Sequence, residues 1–177
     1  ATFDAVTSQF GLEYGDRMAA TDEVVRVLKI GGHFGFIMHN QAGPVVTHNK
    51  KRADALRWAS QDEALVDKAR RWLSLPVIPG TNDLDAFQNS VTNAVGRYGQ
   101  GSGAHEFSLA VLQTLSLRGR QSDQEILNML DRLHNMVSGE LSRLNALAKA
   151  ALSDNMIDDF ALMLHNRNLN VGSIGTL

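Results

Sequence analysis

Apolar residues fall on both faces of a short run near the chain start, Phe3-Asp4-Ala5-Val6. That pattern predicts a β-strand lying inside a sheet. A helix is predicted next, capped by Gly15 or Asp16 and running to about Lys29. Ala20, Val24, Val27 and Leu28 follow helical spacing, while Glu23, Arg26 and Lys29 fall on the other side. Lys29 complements the negative end of the helix dipole. Gly31 and Gly32 read as the helix stop, and His33 to Met38 as a second strand. Strand, helix and strand joined by short turns predict a parallel pair with a right-handed crossover.

The pattern then changes. From Asn49 to Leu152 the signals are almost wholly helical. Asn49 is placed to cap "KKRADALRWA", and Ser60 with Glu63 forms a capping-box pattern before "ALVDKARRWL". Pro76 and Pro79 break the chain, and Asn82 or Asp83 opens a helix towards Tyr98. "GQGSG" interrupts again, and "AHEFSLAVLQTLSL" runs on to a stop at Gly119. Ser122 with Glu125 is a second capping box, opening the longest periodic run, about 123–152. Ile126, Leu130, Leu133, Val137, Leu144 and Leu147 form its stripe, broken at Glu140. Such a stripe predicts a long helix packed on its neighbours, with a coiled-coil dimer contact as the alternative. Ser153 or Asp154 caps "NMIDDFALMLHN", Asn166 closes it, and "LNVGSIGTL" reads as a terminal strand. The chain thus divides into an α/β part at 1–48, a helical part at 49–152, and a helix and strand at 153–177 that return to the α/β part.

Composition narrows the function classes. The 177 residues, 44% of them hydrophobic, suit one domain with a subdomain. A net charge of −2 gives no electrostatic footprint for nucleic acid or a membrane surface. There is no cysteine, which excludes disulfides and thiolate metal sites and leaves cytoplasm as the default compartment. No apolar run approaches the roughly 20 residues that span a bilayer. No signal peptide is visible, and a start at Ala1 without methionine implies processing or a longer product.

The stretch "FDAVTSQFGLEYGDRMAATDEVVRVLKIGGHFGFIMHN" resembles the second half of a class I S-adenosylmethionine-dependent methyltransferase. In that family the fourth strand reads like Phe3 to Val6 and is followed by a loop like Ser8-Gln9-Phe10-Gly11-Leu12. A helix like Glu23 to Lys29 and a Gly31-Gly32 turn then lead to the fifth strand. Ile30 stands where the family commonly has proline. The resemblance implies a partial Rossmann-like, doubly wound sheet carrying a large all-helical insertion. It implies S-adenosylmethionine as cofactor and a small molecule as methyl acceptor. It also places the family's glycine-rich cofactor turn and ribose-binding acid before Phe3, outside this chain, so the chain alone is expected not to bind the cofactor. Gly99-Gln100-Gly101-Ser102-Gly103 does not replace that turn, because such a turn needs a strand before it, and "DAFQNSVTNAVGRY" has helical spacing.

Ser8, Gln9 and Phe10 leave the first strand at its C-terminal end, the edge where open α/β sheets bind ligands. By the resemblance they line the cofactor's methionine end and the reacting methyl, with Tyr14 on the substrate side. His39 and Asn40 end the second strand on the same edge. His39 is the candidate general base for a hydroxyl or amine acceptor. No residue is singled out as an established catalyst. The remaining histidines, His33, His48, His105, His134 and His165, show no metal-ligand spacing, and "HEFSL" is not H-E-x-x-H. Asp158 and Asp159 read as first-turn helix acids. A second reading is a non-catalytic binding or oligomerisation module, dimeric through the open sheet edge or the long helix.

Overall fold

A computed structural model describes residues 1–76 and 84–175. Pro79, Asn82 and Asp83 therefore lie outside the described residues. The fold is mixed α/β, mostly helical, with a two-stranded parallel sheet. The chain divides into two compact units: Ala1–Thr47 with Ala146–Leu177, and His48–Asn145.

The first unit is built on β1 (Phe3–Gln9), α1 (Arg17–Val27) and β2 (Leu28–Ile37). Asp16 caps α1, its carboxylate accepting from the backbone N–H groups of Met18 at 2.9 Å and Ala19 at 3.2 Å. The helix ends at Val27, and Leu28 is already extended. So Gly31 and Gly32 do not stop it; they lie within β2. Between the pairs Phe3↔Leu28 and Ala5↔His33, β2 advances five residues while β1 advances two. The surplus bulges out at Lys29–Gly32, with Ile30 fully exposed. Gly31 takes φ +80 there. A Cβ on Gly32 would lie 2.9 Å from the Lys29 carbonyl oxygen and 3.0 Å from that of Asp4.

Alternate strand residues have opposite fates. Val6, Phe34, Phe36 and Met38 pack with Leu12, Ala20 and Val24, and with Phe160 and Leu164 of α7 (Asp154–His165). Ala5, Thr7, Gln9, His33, Gly35 and Ile37 are exposed. The first strand is therefore not a core strand with two covered faces. Phe3 is 54% exposed, and β1 has no second partner strand among the described residues. The predicted terminal strand is also absent over its described part, 169–175. Leu169 is buried and Val171 packs on the same cluster, but Gly172, Ser173 and Gly175 give a strand little to pack with. Ser153 caps α7, and Asn166 closes it, its N–H donating to the Leu162 carbonyl.

The helix α2 (Pro44–Arg57) starts five residues before the predicted cap, so Asn49 lies inside it. Proline at the first helical position has its φ preset and no N–H left unpaired. The second unit contains a π-helical turn (Trp58–Asp62), α3 (Leu65–Leu73), α4 (Asp85–Tyr98), α5 (Gly103–Leu115) and most of α6 (Asp123–Ala150). The Ser60–Glu63 capping box does not form. Ser60 donates its hydroxyl to the Leu56 carbonyl at 2.7 Å, and Glu63 pairs with Lys68 at 2.7 Å. The Ser122–Glu125 box does form. Ser122 N–H donates to the Glu125 carboxylate at 2.9 Å, and Glu125 N–H donates to the Ser122 hydroxyl at 3.3 Å. Ile126, Leu130, Val137 and Leu141 of α6 are buried in the helical unit's own core, with Leu133 and Leu144 against it. The sequence stripe omits Leu141; Glu140 beside it instead accepts from Arg52 at 2.6 Å. Gly99 to Gly103 joins α4 to α5, with Gly99 and Gly101 at positive φ. No described helix is long and apolar enough to cross a membrane.

Candidate functional site

Parallel pairing brings the C-terminal ends of β1 and β2 side by side, Gln9 opposite Ile37. The chain leaves β1 through a strained residue: Phe10 has φ +54, a conformation costly for a bulky side chain. Its N–H donates to the Ile37 carbonyl at 2.8 Å, so the turn stays anchored to the neighbouring strand. A 3-10 turn, Leu12–Tyr14, follows at once. It sends adjacent side chains in opposite directions. Glu13 is only 3% exposed, while Tyr14 is half exposed.

His39 meets this turn from the end of β2. Its Nδ1 lies 2.8 Å from Glu13 Oε1, and its backbone N–H donates to the same oxygen at 3.3 Å. An ionised carboxylate only accepts, so the pairing favours the proton on Nδ1, and in the neutral imidazole this leaves the Nε2 lone pair free. The Phe10 ring packs on the imidazole at a centroid distance of 4.5 Å, tilted by 31°. Tyr14 meets it edge-on at 6.4 Å. The backbone around His39 is also held. Leu152 N–H donates to the His39 carbonyl and Gln41 N–H to the Leu152 carbonyl, each at 2.8 Å. Glu13 Oε2 is buried without a partner among the described residues.

Phe10 and His39 converge, as their positions at one sheet edge predict, and Tyr14 joins them from the 3-10 turn. Ser8 and Gln9 close β1 below them, and the Ser8 hydroxyl lies 3.6 Å from where a Cβ on Gly11 would stand. Asn40 is placed differently. Its amide Nδ2 donates to Asp154 at the start of α7 at 3.1 Å and its oxygen accepts from Ala42 N–H at 2.7 Å, so one end is tied to α7 and the other serves the turn into α2. Sequence reasoning missed Glu13. The available signal was an acid in the loop leaving one strand, facing a histidine at the end of the next.

Among the described residues, no group of three His, Asp or Glu is placed to hold a metal ion. Measured against the cofactor implied by the resemblance, the donor set is incomplete. By that resemblance β1 and β2 correspond to the fourth and fifth strands, after which neither the glycine-rich turn nor the ribose-binding acid is expected; the turn after β1 has one glycine, Gly11, and no acid follows directly on β2, at Met38-His39-Asn40. These residues do not fit the adenosine half of S-adenosylmethionine. Comparison with protein-family models, with curated proteins and with solved structures finds no match.

Proposed function

We propose that this chain forms the acceptor-side part of an S-adenosylmethionine-dependent methyltransferase acting on a small molecule. His39 serves as general base and Glu13 as the residue that orients it. The observation carrying this reading is the Glu13–His39 pair at the C-terminal ends of two parallel strands. With Nδ1–H committed to the carboxylate, Nε2 is the atom that accepts a proton from an acceptor hydroxyl or amine. Glu13 balances the imidazolium that forms. A partial Rossmann-like sheet is the matching fold reading. It is supported by the parallel β1–α1–β2 unit and by α1 and α7 sharing one sheet face.

The test is transfer of a labelled methyl group from S-adenosylmethionine to a panel of small hydroxyl and amine acceptors, using the protein as its gene encodes it. His39→Gln is expected to lower turnover by about 10²–10⁴-fold, with little change in acceptor KM. Turnover unaffected by His39→Gln, or no transfer to any acceptor, would overturn the reading.

A further inference from the structure

The turn that leaves β1 puts its strain on the costlier of two neighbours. Gly11 could take a positive φ freely, yet it sits at φ −133. Phe10, with its bulky side chain, sits at φ +54 instead. The bond from its N–H to the Ile37 carbonyl, at 2.8 Å, holds it there. Core burial does not account for the arrangement. Phe10 is 43% exposed and is not part of the apolar cluster under the sheet. What the strained backbone achieves is a ring contact, with the Phe10 ring on the His39 imidazole at a centroid distance of 4.5 Å. Such a contact returns no more than backbone strain of this kind costs. The contact therefore counts for the geometry it imposes on His39 rather than for stability.

The Glu13 bond fixes the position of Nδ1, but a single bond leaves the ring free to tilt about that point. The Phe10 face restricts the tilt, and Tyr14 meets the ring edge-on at 6.4 Å. A bond at one corner and a face against the plane together set the direction of the Nε2 lone pair. We propose that Phe10 is a positioning residue: its positive-φ backbone seats the ring on His39 and so fixes the plane of the imidazole and the aim of Nε2. That Nε2 then takes a proton from a methyl acceptor rests on the function proposed above; the positioning itself does not.

The experiment compares the parent with Phe10→Gly, Phe10→Leu and Phe10→Tyr. The glycine variant removes ring and strain together, the leucine variant keeps the strain and loses the flat face, and the tyrosine variant keeps both. Nitrogen NMR of the histidine-labelled 177-residue chain, at a pH where the imidazole is neutral, reads the tautomer of His39 directly. The parent and Phe10→Tyr are expected to show one tautomer, with the proton on Nδ1. Phe10→Gly and Phe10→Leu are expected to show a mixture of both. The urea midpoint of Phe10→Gly should stay at or above the parent's, because relieved strain offsets the lost contact. In methyl-transfer assays on the protein as its gene encodes it, Phe10→Gly should lower kcat about tenfold or more with little change in acceptor KM. A single Nδ1–H tautomer in all four proteins would overturn the proposal. So would a Phe10→Gly chain that unfolds or loses its midpoint as a buried core ring would, since the ring would then be structural. Mixed tautomers in Phe10→Gly with no methyl transfer by the parent would support the positioning and remove only the methyltransferase reading. Transfer that requires His39 but is untouched by Phe10→Gly would overturn the positioning alone.

Discussion

Removing the His39 imidazole should cost far more stability than an exposed histidine would. The Glu13 side chain is wholly withdrawn from water, and its Oε1 takes both bonds from His39 while Oε2 takes none. In His39→Ala the carboxylate keeps one long backbone contact and remains buried. Leaving a buried carboxylate without its ring N–H donor costs about 3 kcal/mol or more, since an unsatisfied charged group loses more than a neutral one. Glu13→Gln keeps the shape and one acceptor oxygen but exchanges charge-assisted bonds for neutral ones, a loss of about 1–1.5 kcal/mol. In the double variant no buried charge is stranded, so its cost should fall below the sum of the two single costs by about 1.5–3 kcal/mol. Urea denaturation of all four proteins, followed by far-UV circular dichroism at neutral pH, yields this coupling. With two compact units, the transition that moves is the one assigned to the sheet. A coupling below about 0.5 kcal/mol would mean that the pair does not hold in solution, and the oriented-base argument would fall with it.

Other perturbations give separate checks. Gly32→Ala should destabilise the sheet by about 1–3 kcal/mol in the same denaturation assay, since two backbone oxygens crowd the new methyl. Gly35→Ala, with nothing within 4 Å, should stay within about 0.5 kcal/mol of the parent; equal costs would refute the close approach at Gly32. The Ser122 backbone N–H, and then its hydroxyl, hold the Glu125 carboxyl below its ordinary pKa. A depressed folded value means stability present at neutral pH and lost as pH falls through that value. The stability gap between the parent and Glu125→Gln should therefore close as pH drops below about 4, and a gap that widens would reverse the assignment. Isothermal calorimetry of this 177-residue chain with S-adenosylmethionine should show no micromolar binding, and such binding would contradict the incomplete donor set.

Local signals translated into structure where a single physical cause decides them. Asp16, Ser122 and Ser153 sit at helix starts because short oxygen-bearing side chains satisfy free N–H groups, and that preference is visible in the residues themselves. The parallel β1–α1–β2 unit was legible for a similar reason: an apolar run, then a helical stripe, then a second apolar run, although β1 alternates covered and open positions where its apolar run predicts two covered faces. Gly31 and Gly32 misled because the same conformational freedom serves a helix stop and a strand bulge. Only the pairing register against β1 distinguishes these. Ser60 lost its cap to a carbonyl one turn back, a competition that depends on the π-helical turn it sits in. In the candidate site, Phe10 and His39 could be placed by strand ends alone, and Tyr14 only by the resemblance. Glu13 could not. Its inward direction is set by a 3-10 turn following a residue at positive φ, and neither has a strong sequence signature.

The bond between Leu152 and the His39 carbonyl has a consequence in time. The segment carrying His39 precedes the helical unit in the chain. Its backbone partner arrives only after the whole helical unit has been made. The Gln41–Ala151 contact beside it closes a loop of 110 residues, for which the chain-entropy cost is about 4 kcal/mol if the intervening segment is unstructured. Folding of the helical unit, whose residues are contiguous, shortens that loop before it closes. The backbone bonds beside the Glu13–His39 pair thus span the whole helical unit, so their closure is cheaper once that unit has folded.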